Sequence, residues 1–318
     1  MSLTHTSVDS LPGLRFAKRI VPIQVNNGQL EFKTTPFTFK IEPSLVEPER
    51  WTLDALSAEY RDSVIPVAVG SRIGGHLQQM TVSDAVQQFK NPNEIQAYAR
   101  QIPVPGPFVG IERRKIFSLV APRDRLDISH LWIGPKGTIQ PFHKDNHHPL
   151  ALLDAVLLQL QGTKEILLIS NDYDDCMYPR QSAGYTHHSA IDMLQFDGSS
   201  FPLFKNVEVQ QTTLAQGSGL FTPGGTWHHV RSLSCSVSMS VWWHRSALAD
   251  RIYRAALTSK GVKVDVPERL LGMQDLEEAR DFNQLKDALA TELTDAGRRQ
   301  FTKYCDTELN VRLSAALQ

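Results

Sequence analysis

The segment Gln140-Pro141-Phe142-His143-Lys144-Asp145 sets an imidazole and a carboxylate two residues apart. In an extended strand, side chains at that spacing leave the same face, so both can reach one ion. A lone pair of this kind is weak evidence, because it arises by chance in many proteins. A second source of ligands lies downstream in Thr222-Pro223-Gly224-Gly225-Thr226-Trp227-His228-His229-Val230, where a Pro-Gly-Gly turn delivers two histidines to the start of another apolar run. Adjacent strand residues point to opposite faces, so only one of His228 and His229 shares a face with the ion. Two imidazoles and one carboxylate on one face of an octahedral ion leave three adjacent positions open. That arrangement lets a non-haem iron(II) hold a cosubstrate and oxygen together. Zinc is more often tetrahedral and recruits sulfur.

The chain has 11 histidines, and most carry a plainer reading. His147 and His148 read as a solvated loop beside the site, His187 and His188 as a polar loop, and His244 as a strand end. His76 and His130 read as structural.

The elements that must position the ligands follow from periodicity. Leu14 to Ile41 alternates in short apolar runs around Asn26-Asn27-Gly28, a turn signal that predicts a hairpin. Thr52 before Leu53, Leu56 and Tyr60 predicts one helix. Thr81 as cap, with Asp84 three residues on and Val82, Ala85, Val86 and Phe89 along one face, predicts a second. From Phe108 to Trp243 short apolar runs are punctuated by Gly, Pro and Asp, which argues for an all-β jelly roll and against βαβ units. Beyond Ser246 the pattern turns helical. Leu248, Ile252 and Ala255 share one face, and Phe282, Leu285, Leu289 and Leu293 form an apolar stripe that packs on the chain's own core or on a second copy. The expected division is residues 1–107 as N-terminal strands and scaffold helices, 108–245 as the jelly-roll core, and 246–318 as a C-terminal helical region able to dimerise.

Bulk properties narrow the function classes. The 318 residues are 41% hydrophobic and 21% charged, enough apolar content for a sizeable core. Formal net charge is −1 with lysine and arginine scattered, so the footprint of a general nucleic-acid binder is missing. Cys176, Cys235 and Cys305 lie far apart and form no CxxC pair, which predicts neither a disulfide framework nor a zinc knuckle. The N-terminus lacks an apolar signal core, and the most apolar stretch, Leu150 to Leu160, is interrupted by Asp154 and too short to span a bilayer. The expectation is a cytoplasmic protein without a membrane partner.

Several ordered blocks point further. HLWIGPKGTIQPFHKD, LQLQGTKEILLI, TPGGTWHHVRSL and SVSMSVWW resemble the cupin-like JmjC family of iron(II)/2-oxoglutarate oxygenases, in the branch of the hypoxia-inducible-factor asparaginyl hydroxylase. The likeness runs from about Trp51 to Trp243, with less specific matches at Ser189-Ala190-Ile191-Asp192 and Phe201-Pro202-Leu203-Phe204. It implies a double-stranded β-helix, mainly β with flanking helices, in which His143, Asp145 and the first histidine of the TWHHV block hold iron(II). That choice selects His228. It also implies that Lys164 pairs with the distal carboxylate of 2-oxoglutarate, and that Ser240, Gln140 and Trp132 lie near the cosubstrate. Independently, Ser234, Ser236, Ser238 and Ser240 alternate with Cys235, Val237, Met239 and Val241, so one face of that strand is rich in hydroxyls. The stretch from Asp145 to Lys164, with His147-His148-Pro149-Leu150 beside the iron ligands, is longer than the family pattern and bears on cosubstrate contacts around Asp154.

The resemblance implies a dioxygenase that uses 2-oxoglutarate and O2 and releases succinate and carbon dioxide. It hydroxylates an amino acid, a peptide or a protein side chain, ahead of demethylation of an N-methyl group. The competing readings are a cupin metalloenzyme without a cosubstrate, such as an isomerase or dioxygenase, which has no use for Lys164, and a non-catalytic β-sandwich binding protein, against which the complete triad counts.

Overall fold

The computed structural model describes residues 11–25, 34–43, 47–71, 74–91, 97–104, 127–145, 152–180 and 187–245. The strands in chain order are β1 (Arg19–Pro22), β2 (Gln24–Val25), β3 (Phe37–Lys40), β4 (Val64–Ser71), β5 (Gly74–Thr81), β6 (Ala97–Pro103), β7 (Asp127–Gly134) and β8 (Ile139–Lys144). They continue as β9 (Leu153–Gln161), β10 (Thr163–Ile169), β11 (Pro179–Arg180), β12 (His187–Ser189), β13 (Glu208–Ala215), β14 (Ser218–Thr222), β15 (Trp227–Ser232) and β16 (Ser236–His244). Helices α1 (Leu53–Glu59) and α2 (Val82–Lys90) sit at the predicted positions. Thr52 and Thr81 cap them, their hydroxyls accepting from the Ala55 and Asp84 backbone N–H groups.

The strands form a seven-stranded sheet in the order β1-β13-β10-β15-β8-β12-β11 and a nine-stranded sheet in the order β2-β3-β14-β9-β16-β7-β6-β4-β5. Successive strands from β7 to β10 alternate between the two sheets, as do β14 to β16. This switching wraps the chain into a jelly roll. Strands from the N-terminal segment add to both sheets of the core, β1 beside β13 and β3 beside β14.

Apolar residues lie on both faces of the barrel wall. On β16, Val237, Met239 and Val241 pack outward on a cluster with Leu53, Leu56, Val86 and Phe89 from the two helices. Outside the smaller sheet, Phe142, Leu167, Ile169 and Trp227 pack on Met177, Ile191 and Phe204. Inside, Ile166, Leu168, Leu214 and Leu220 fill one end of the barrel. The hydroxyl-rich face of β16 therefore points inward, and its apolar face packs on helices.

Two irregularities re-aim the chain. Gly162 joins β9 to β10 at the corner where the chain changes sheets, with φ +77°. A Cβ there would lie 2.0 Å from the Cys235 carbonyl oxygen, so only glycine fits. On β8, His143 pairs with His228 and Gln140 with Val230, so three steps on β8 oppose two on β15. This β-bulge holds Pro141, a residue with no N–H to give to a ladder, and resets the alternation so that both Gln140 and His143 face inward.

The predicted hairpin turn, Asn26-Asn27-Gly28, and the residues after it up to 33 lie outside the described residues. The strands on either side, β2 and β3, pair in parallel, and β3 also pairs with β14. The run from Ile116 to Pro122 and the C-terminal helices, with the dimer face expected of them, also lie outside the described residues.

Gly162→Ala is expected to be far more damaging than Gly217→Ala. Both glycines have positive φ, but a Cβ at Gly217 meets nothing within 4 Å. Backbone strain alone costs about 1 kcal/mol, whereas the clash at Gly162 forces the corner open and should cost at least about 3 kcal/mol. Thermal denaturation of the two variants side by side checks this, and equal melting temperatures would refute it.

Candidate metal centre and its pocket

His143 comes from the end of β8, Asp145 follows the strand directly, and His228 is the second residue of β15. Register places His143 directly opposite His228, and the two imidazoles lie 4.0 Å apart between ring centroids. Their Nε2 atoms are 3.7 Å and 3.6 Å from the same Asp145 oxygen, Oδ1. All three donor atoms fall within 4.8 Å of one another.

Hydrogen bonds fix which nitrogen each histidine offers. His143 Nδ1 donates to the Pro141 carbonyl at 2.8 Å, and His228 Nδ1 donates to the Thr226 carbonyl at 3.1 Å. A carbonyl can only accept, so both Nδ1 atoms carry the proton and both Nε2 lone pairs face Asp145. Burial, followed by the adjacent His228, pushes the His143 pKa well below the ordinary histidine range and keeps that ring neutral. Asp145 is oriented from its other oxygen, where Trp242 Nε1 donates to Oδ2 at 2.8 Å. Two imidazoles oriented through Nδ1, with Nε2 toward one carboxylate oxygen, and a carboxylate held by its other oxygen suit a divalent metal with nitrogen and oxygen preference.

The turn ahead of His228 is equally determined. Gly225 has φ +87°, and a Cβ at Gly224 would lie 2.9 Å from the Leu153 carbonyl oxygen. The Gly224 N–H donates to Asp154 Oδ1 at 2.8 Å, and the Arg245 guanidinium donates to the same oxygen. Asp154 therefore secures the turn that presents His228, and it is not among the residues lining the pocket.

His143, Asp145, His228, Lys164, Ser240, Gln140 and Trp132 all line one cavity of about 600 Å³, measured out to its open mouth. His229 takes the opposite face of β15, buried against Phe142 with ring centroids 5.4 Å apart. Burial pushes its pKa down to about 3. Trp132 donates from Nε1 to Ser240 Oγ at 2.7 Å. The sequence reading missed Tyr98 and Trp242, which also line the cavity. Trp242 shares the parity of Ser236, Ser238 and Ser240 on β16, and extending that stripe by one step finds it. Tyr98 has no comparable signal in the sequence.

His187 and His188 form part of strand β12, not a polar loop. His188 pairs with His143, and their rings stack at 5.6 Å. His244 ends β16 and is buried, as expected for a strand end.

Lys164 stands two residues beyond the Gly162 corner, on the inward face of β10 with Ile166 and Leu168. It is 2% exposed, and burial pushes its pKa down to about 7. Its Nζ donates to Ser238 Oγ at 2.5 Å, and among the described residues it meets no carboxylate. One hydrogen bond contributes about 1 kcal/mol net, whereas desolvating an ammonium costs several.

A jelly roll that carries two histidines and a carboxylate inside one end of its barrel belongs to the cupin class of metal-binding folds. The family model described as the Cupin-like domain matches residues 47–248, and the chain belongs to this family. It is 35% identical over 116 residues to the lysine-specific demethylase JMJ30 of Arabidopsis thaliana, a match covering 36% of this chain and 26% of that protein. It is 38% identical over 112 residues to the Jumonji C domain-containing protein 5 of Drosophila melanogaster, covering 35% and 26%. It is 27% identical over 205 residues to the lysine-specific demethylase 8 of Danio rerio, covering 61% and 48%. The chain thus spans between about a quarter and about half the length of these relatives. These names place the chain among cupin-like JmjC proteins. The narrower likeness to the hypoxia-inducible-factor asparaginyl hydroxylase stays an expectation from the sequence. No helix among the described residues is long and apolar enough to cross a membrane.

Burial of Lys164 makes stability depend on pH with a definite sign. Its folded pKa of about 7 lies below the ordinary 10.5, so below pH 7 the folded state bears the full cost of a buried cation. Between the two values the unfolded chain holds the extra proton, and stability rises with pH by up to roughly 1.4 kcal/mol per unit. Above both values the cost is gone. Without ligand, Lys164→Met should melt above wild type at pH 7, and the gap should close by pH 10. A pH series of thermal melts with a constant gap would refute this.

Proposed function

We propose that the protein is an iron(II)- and 2-oxoglutarate-dependent oxygenase that hydroxylates an amino acid, a peptide or a protein side chain. The observation that carries the reading is the pairing, in one cavity, of the His143, Asp145 and His228 donor set with the buried, carboxylate-free ammonium of Lys164. A cupin metalloenzyme without a cosubstrate would need the first and have no use for the second.

Iron(II) held by the triad would supply oxygen activation: 2-oxoglutarate and O2 are converted to succinate and carbon dioxide while one oxygen atom enters a substrate C–H bond. The chain's own residues do the rest. His143 and His228 present Nε2, and Asp145 presents Oδ1 while Trp242 restrains its second oxygen. Lys164 and Ser238 take the distal carboxylate of the cosubstrate, and the Trp132–Ser240 pair fixes the adjoining wall. Ile166, Leu168, Leu220 and Val230 exclude water around the reacting groups.

Demethylation of an N-methyl group uses the same oxidant and is the second reading, favoured by the lysine-specific demethylase names of two relatives. It differs in product, because hydroxylation at an N-methyl carbon releases formaldehyde. Succinate formation with and without formaldehyde, measured on methylated and unmethylated peptides, separates the two.

Anaerobic addition of iron(II) and 2-oxoglutarate should give a visible charge-transfer band. His143→Ala and Asp145→Ala should lose both the band and turnover. His228→Ala should do the same, while His229→Ala keeps measurable turnover. Lys164→Ala should raise the KM for 2-oxoglutarate at least tenfold and leave iron affinity nearly unchanged. Wild-type protein that gives no band, or triad variants that keep it, would sink the reading.

A further inference from the structure

The two strands that carry the histidines are also joined on their outer face. Lys144 lies between His143 and Asp145, and Trp227 immediately precedes His228. Both side chains point away from the cavity. Lys144 is 6% exposed, and Trp227 is fully buried. Asp174, on the 3-10 turn Asn171–Met177, receives both: Lys144 Nζ donates to its Oδ2 at 2.6 Å, and Trp227 Nε1 donates to its Oδ1 at 2.7 Å. The Lys144 ammonium also lies 4.9 Å from the centroid of the Trp227 ring. One carboxylate thus holds the outward neighbours of all three donor residues.

We infer that Asp174 is a positioning residue for the metal centre, clamping β8 to β15 from behind so that the donor atoms of His143, Asp145 and His228 keep their spacing. This rests on the reading of the triad as a metal site. Three physical points support it. Lys144 is buried, and among the described residues its carboxylate partner is Asp174, so removing Asp174 leaves an uncompensated cation that must move toward water. The Trp227 indole N–H loses its Asp174 acceptor in the same step, directly beside His228. The ladder between β8 and β15 is already interrupted by the bulge at Pro141. Register at this point therefore depends more on side chains than in a regular pair. Removing groups that orient metal ligands typically weakens affinity about 10- to 100-fold.

Cobalt(II) serves as a redox-stable probe, with affinity and stoichiometry read by calorimetry and ligand geometry by visible absorption. Asp174→Ala is expected to weaken cobalt binding at least tenfold and to alter the absorption envelope. Asp174→Asn keeps an acceptor for the Trp227 indole but loses the charge facing Lys144, and should fall between the two. Asp175→Asn, a charge change on the same turn, should match wild type. In a Lys144→Met background, the Asp174→Ala effect should shrink, because the stranded cation is gone. Should Asp174→Ala fail to fold, Asp174→Asn and the Lys144→Met/Asp174→Ala pair carry the comparison. Folded Asp174 variants that bind cobalt as wild type does, even with lowered melting temperatures, overturn the inference and leave a purely structural role. If wild type itself binds no cobalt, or His143→Ala binds it equally, the triad reading fails instead.

Discussion

The pairing of β8 with β15 is the constraint on which the site rests. His143 stands directly opposite His228, and a strand has only two faces. A slip of one residue would turn His228 outward and bring His229 in, against an Asp145 that had also moved. The bulge at Pro141 lets Gln140 and His143 share the cavity although three residues separate them. Carbonyls supplied by the same local turns, those of Pro141 and Thr226, then select the tautomer of each ring. Ligand identity, ligand direction and proton placement thus come from backbone geometry within two residues of each histidine.

The second half of the site depends on a different economy. Lys164 is placed by a corner that only glycine can make, and it is buried among aliphatic side chains with one hydroxyl for company. Folding alone does not justify a cation in that place. Among the described residues, the other buried charges outside the cavity are handled conventionally: Glu165 meets Arg231 at 2.9 Å, Asp154 meets Arg245 at 2.5 Å, and Lys144 meets Asp174 at 2.6 Å. The contrast sets Lys164 apart: among the described residues it has no carboxylate beside it.

Much of this was legible in the sequence because it depends on short-range rules. Alternation on β16 marked one face of the serine strand as hydroxyl-rich, and the helix caps at Thr52 and Thr81 were visible as local chemistry. What was not legible depends on partners far away in the chain. The bulge appears only when β8 is set against β15. Tyr98 enters from β6, which joins the larger sheet through β7, and no spacing rule connects it to the histidines. His188 looked like a loop residue because β12 is three residues long and exists by pairing with β8. Asp174 was silent in the sequence, and Asp154 stood out there only near the cosubstrate rather than as the brace of a turn, since a carboxylate that braces a turn has no motif of its own.

The two indoles of the cavity have a final consequence. Trp132 and Trp242 each commit their only N–H to a protein acceptor, Ser240 in one case and Asp145 in the other, and they meet edge to face at 6.3 Å. Neither has a hydrogen bond left to offer. A molecule that reaches this wall meets ring faces and edges, so discrimination here works through outline and polarisability, and it tolerates polar substituents only where they project toward the mouth. A wall of this kind sorts guests by how they stack rather than by what they can donate or accept.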